Sequence, residues 1–291
     1  MKQIHFMILT ALFFSSAQAS QVISSVGTSA IYGTDNREFI SSKTDKKIKE
    51  LSSSVAMIVQ KELVTSRWPI SQISADLLSD KKNLNLCVDQ KFASHHSLNS
   101  CTGLLIAPDL VASAGHCFMS EDDCRNKSII FEVLEKNENE AGYKILKKQV
   151  YECKEIVKSA FDDSYNDFAV IRLKKRIFDR TPLRLRRNGE ISTTDKVFMI
   201  GHPLGLPQVL TSIAKVIETS EVHFFKATLD SFEGNSGSPV FNARTLEVEG
   251  ILVRGEDDFV QTDEAQCLKY KTFEEASGKG ESVTKIRDLL Q

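Results

Sequence analysis

The chain has 291 residues, 41% of them hydrophobic and 26% charged, which excludes a disordered polar polymer and a membrane-embedded protein and allows one large or two small cores. Its 37 basic and 39 acidic residues are mixed along the sequence and leave a formal net charge of −2. With no polybasic tail or stripe, neither nucleic acid nor an anionic lipid surface is expected as a partner.

At the start, Lys2 precedes an apolar run from Phe6 to Phe14, and small residues follow at Ala17 and Ala19. This is the pattern of a secretory signal peptide over 1–19, cut after Ala19, and the run is far short of the ~20 residues that a membrane anchor needs. The expected location is therefore secreted or periplasmic. In such an oxidising compartment six cysteines read first as disulfides. Cys87, His95, His96 and Cys101 are ligand types, but their spacing matches no common zinc pattern, and no metal or cofactor is expected.

Residues 20–54 are rich in Ser, Thr, Lys and Asp and read as a pro-segment or N-terminal arm. The first strand is expected at Val55–Val59, and 60–98 reads as a long insertion around Trp68 and Pro69. From Cys101 short β-rich runs recur, TGLLIA, DLVASA, SIIFEVL, KKQVYEC, DFAVIRL, KVFMIG, IAKVIE, FFKATL, SPVFN and VEGILVRG, separated by turn residues. Such regular short strands predict a sandwich or barrel. Val283, Ile286, Leu289 and Leu290 fall at helical spacing and predict a terminal helix over Glu281–Gln291.

Three of these runs carry chemistry-bearing residues. His116 follows an apolar run and adjoins Cys117, Asp167 heads the strand DFAVIRL, and Ser236 lies between glycines in GNSGSP. A serine hydroxyl needs a hydrogen-bonded imidazole to take its proton, and the imidazole needs a buried carboxylate to fix its tautomer. Asp162 and Asp163 are alternatives to Asp167, but they sit on a polar loop. Taken singly, each of the three reads first as structural, the Ser and Asp as turn or cap residues.

The strings SAGHC, NDFAVIRL and GNSGSP, in the order His, Asp, Ser, resemble the chymotrypsin-type (trypsin-like) serine proteases over about residues 50–290. GNSGSP, GHPLG and IYGTDNR look most like the bacterial glutamyl endopeptidase branch. The resemblance implies an all-β fold of two six-stranded antiparallel β-barrels with the active site between them and a C-terminal helix. The first barrel with its insertion is expected over 55–175, and the second barrel with the helix over 176–291. It further implies a serine endopeptidase acting on proteins or peptides, with His116, Asp167 and Ser236 as its triad and the N–H groups of Gly234 and Ser236 as its oxyanion hole. Gly237 serves the same turn.

Asp230, Ser231, Val253, Arg254 and Gly255 are implied as the specificity pocket. Asp230 lies six residues before the serine, where trypsin-like members have the acid at the pocket base, so a preference for Arg or Lys is expected, aided by the acidic run Glu256, Asp257 and Asp258. Leu252 and Val253 stand where glutamate-specific relatives place a histidine. Asn235 replaces the acid that pairs with a freed N-terminus in many animal members, Phe232 replaces a pocket cysteine, and IYGTDNR suggests zymogen processing near Ile31. The resemblance also implies a Cys101–Cys117 disulfide. Cys124 and Cys153 bracket two strands and suit a cross-strand bridge, which leaves Cys87 with Cys267. Two other classes compete: a silent protease-fold binding module, and a periplasmic protease-chaperone, whose relatives append PDZ domains.

Overall fold

The computed structural model describes residues 30–162, 166–261, 266–274 and 277–290. The expected signal peptide, residues 20–29 of the arm and Asp163 lie outside the described residues. Among the described residues no helix is long and apolar enough to cross a membrane.

Six strands close the first barrel, in the order Lys127–Phe131, Val150–Phe161, Asp167–Leu173, Leu110–Ser113, Cys101–Ala107 and Val55–Gln60, with the last pairing back to the first. Every pairing is antiparallel. The apolar runs of the sequence become these strands because both faces are covered: Val55, Leu104, Val111, Ile129 and Ile171 are fully or almost fully buried in one core. The strand through SIIFEVL ends at Phe131, where Glu132 takes a positive φ of 58°. The strand through KKQVYEC instead runs on to Phe161, bulged twice against its partner.

The second barrel closes in the same way through Lys196–Gly201, Ala214–Glu218, Phe224–Ala227, Glu281–Lys285, Val248–Arg254 and Pro239–Asn242. Val197, Met199, Val216, Phe225, Val240 and Val283 fill it.

One expectation is corrected here, and two regions expected as an insertion and an arm take on structure. The terminal helix spans only Ile286–Leu290, because Glu281–Lys285 pairs with strands on both sides and those two ladders outweigh its apolar spacing. The insertion holds a hairpin, Val64–Arg67 with Ile70–Ser74, extended by Gly142–Leu146, followed by a short pair of Asp76–Leu77 with His96–Ser97. The arm from residue 30 onward is packed: Ile31–Tyr32 pairs in parallel with Thr272–Phe273, and Lys46–Ser52 is a helix capped by Asp45. Disulfides join Cys101–Cys117, Cys124–Cys153 and Cys87–Cys267, so neither cysteine of the weighed zinc set keeps a thiolate.

Candidate active site

Strand register brings the first two residues together. Ser113 is paired with Ala169, so the chain leaving Ser113 runs level with Asp167, the first residue of its strand. The Gly115–Cys117 turn follows, and a Cβ at Gly115 would lie 2.0 Å from the Ala160 carbonyl oxygen, so only glycine allows this approach. Asp167 is fully buried. Its Oδ1 accepts the backbone N–H groups of Gly115 at 2.6 Å and His116 at 3.1 Å, and its Oδ2 accepts His116 Nδ1–H at 2.9 Å. That bond fixes the ring's tautomer and leaves Nε2 as the basic nitrogen. Phe161 meets the ring edgewise, 6.0 Å between centroids.

Sequence reasoning missed a cation at this carboxylate. Arg254 places Nη2 3.6 Å from Asp167 Oδ2, and its guanidinium lies 5.8 Å from the Phe161 ring centroid.

Ser236 sits on a turn that crosses from the second barrel onto the first. Thr102 pins it: its N–H donates to the Ser236 carbonyl at 2.8 Å, and its Oγ1 donates to the Gly234 carbonyl at 2.8 Å while accepting His202 N–H. Gly237 has φ of +88°, and a Cβ there would lie 2.2 Å from the Thr102 carbonyl oxygen, so this turn requires glycine. The N–H groups of Gly234 and Ser236 and the Ser236 hydroxyl donate to no protein acceptor among the described residues. No hydrogen bond joins Ser236 Oγ to His116 Nε2. Behind the turn, His202 is completely buried; burial brings its pKa down to about 4, so the ring is neutral and bonds through Nδ1 to the Leu206 carbonyl at 2.9 Å.

His116, Ser236 and Gly234 line one cleft of about 380 Å3, together with Phe232, Val253, Arg254, Phe161 and Met119. Asp230 and Ser231 do not line it. Ser231 is buried and its hydroxyl donates to Glu281, while Gly255 lines a neighbouring cavity beside Arg254.

Asp230 is 3% exposed, and its Oδ1 accepts the N–H of Tyr32 at 2.8 Å. Burial raises its pKa to about 6, against the opposing pull of that bond and of the Arg37 charge. The expected pocket acid is thus turned toward the N-terminal arm. Arg37 of the same arm is itself fully buried, forked onto Asp35 and stacked 4.2 Å from the ring centroid of Phe232, a residue of the cleft wall. The acidic and basic side chains that line the cleft are Glu233 and Arg254, beside the His116 imidazole. Asp258, from the acidic run, is buried and accepts the N–H of Glu233.

Cys101, His116 and Cys117 bring ligand-type atoms within 4.8 Å of one another. Their two sulfurs are bonded to each other, so the set offers a metal only an imidazole.

A family model described as a trypsin-like peptidase domain matches residues 101–251. Among solved structures, a Glu endopeptidase in complex with MPD aligns at a TM-score of 0.50 and 16% identity, over 89% of this chain and 97% of that one. A scabies mite inactivated protease paralogue, S-I1, aligns at 0.51 and 15%, over 85% and 95%. No curated protein sequence matches the chain.

Proposed function

Since this chain belongs to the trypsin-like peptidase family and is a serine endopeptidase, we propose that Ser236, His116 and Asp167 carry out its chemistry. The observation that carries the reading is the His116 Nδ1–Asp167 Oδ2 bond, made behind a cleft that His116 and Ser236 both line. His116 Nε2 takes the hydroxyl proton as Ser236 Oγ attacks the peptide carbonyl carbon, then returns it to the leaving amine. Water repeats the cycle on the acyl-enzyme ester. The Oγ–Nε2 bond closes when substrate is bound, since catalytic hydrogen bonds are often long without it. The N–H groups of Gly234 and Ser236 face the developing oxyanion, an interaction that typically contributes about 3–4 kcal/mol in the transition state.

Ser236→Ala is expected to abolish hydrolysis, by on the order of a million-fold, while leaving the fold intact. A fluorophosphonate probe should label the wild type and spare this variant. An unlabelled wild type would assign the chain to the silent binding modules instead.

The expected preference for Arg or Lys loses its basis, because Asp230 is engaged by the arm. Glu233 and Arg254 line the cleft with opposite charges, so no single charge dominates it. Reporter peptides with Arg or Glu before the scissile bond should be cleaved within roughly ten-fold of each other, and Arg254→Ala should shift the ratio toward Arg. A hundred-fold preference for Arg that Asp230→Ser removes would restore the original pocket. Three disulfides favour a secreted or periplasmic setting for this activity.

A further inference from the structure

A cavity of about 590 Å3 opens on the first barrel. The strand Val150–Phe161 starts in its wall and ends in the catalytic cleft, so the two sites lie roughly 30 Å apart along that strand. Lys147, Lys148, Lys174, Lys175 and Arg176 line the cavity, against a single carboxylate, Glu152. That carboxylate is already engaged on both oxygens, by Lys174 Nζ at 2.6 Å and Lys61 Nζ at 3.4 Å. Lys147, Lys148, Lys175 and Arg176 are exposed and make no ion pair among the described residues. Asp179, which feels the Lys148 charge, is taken up by Arg180 at 3.1 Å. Contrary to the expectation from the linear sequence, a basic face exists, assembled by the fold from two separate runs.

Two aromatic rings stand in water beside these cations. Trp68 lines the cavity and is 80% exposed, and Phe178, two residues beyond Arg176, is 85% exposed. Large exposed rings next to unpaired Lys and Arg are what the boundary between anionic headgroups and acyl chains accepts, the rings entering the interface and the cations meeting phosphates. We propose that this face docks the protein onto an anionic phospholipid bilayer, with the catalytic cleft held away from the cavity that makes the contact.

Trp68 is the only tryptophan in the chain, so fluorescence excited beyond the tyrosine absorption band reads this site alone. Phosphatidylglycerol-containing vesicles, titrated into the full protein at low salt, should shift its emission to the blue, and phosphatidylcholine vesicles should leave it unchanged. Salt at about 0.5 M should reverse the shift. The double variant K147Q/K148Q should lower the partition coefficient roughly twenty-five-fold, at about five-fold per basic residue. Phe178→Ser should weaken binding without altering its salt dependence, and hydrolysis of a soluble peptide should be unchanged in both. Emission that stays fixed on phosphatidylglycerol vesicles overturns the proposal. So does an equal shift on a soluble sulfated glycan without vesicle co-sedimentation, which would assign the face to soluble polyanions.

Discussion

Asp167 receives two backbone N–H groups and an imidazole N–H on its two oxygens, and one of these oxygens also faces a guanidinium. Each of these contacts requires an acceptor, so an amide in its place must turn an N–H toward at least one donor. Asp167→Asn is expected to favour the wrong tautomer of His116 and to reduce kcat by about four orders of magnitude, with KM little changed because Asp167 does not line the cleft. Activity within ten-fold of wild type would remove Asp167 from the reaction. Arg254 shares this carboxylate with the His116 ring, and nothing in the linear sequence announces it, since the contact joins the end of one barrel's strand to the start of the other's.

Among the elements, the N-terminal arm is held most by chemistry that the sequence conceals. Arg37 stacks on Phe92, Phe232 and Tyr270 and forks onto Asp35 with no exposed surface. Arg37→Met keeps the volume but leaves Asp35 with only its longer Lys91 contact at 3.8 Å, and a loss of about 3 kcal/mol is expected, measured by denaturant unfolding. A change below about 0.5 kcal/mol would show that the stack contributes only packing. The barrel strands were legible because alternating or continuous apolar runs between turn residues have few other ways to bury themselves. That His116 meets Asp167 and shares a cleft with Ser236 was foreseen through resemblance alone. The arm was not, because its strands are two residues long and its largest fully buried side chain is an arginine. The role of Asp230 was not either: a position six residues before the serine fixes where its Cα lies in the fold, whereas the Tyr32 N–H that takes up its carboxylate comes from the far end of the chain.

For the whole molecule, two buried acids make stability fall as pH rises. Burial, helped by the charges of Glu281 and Glu233, pushes Asp258 up to about 8, and burial raises Asp230 to about 6. Both lie above the ~4 of an unfolded aspartate, so the folded state holds the protons more tightly. The stability they contribute is therefore complete below about pH 4 and is lost as pH rises through 6 and then 8. Asp258→Asn should raise Tm by ~5 °C at pH 9 and hardly change it at pH 5. An equal effect at both values would mean that the carboxyl is ionised throughout. The arm's own docking has a further consequence, in time. Ile31–Tyr32 pairs with Thr272–Phe273, and Ala30 accepts a bond from Ser231. A chain emerging N-terminus first, at roughly 5–20 residues per second, leaves this segment without its partner for on the order of ten to fifty seconds. Ala30 and Ile31 are both buried once docked, so the peptide bond between them can be reached by a processing enzyme during that interval and is shielded afterwards.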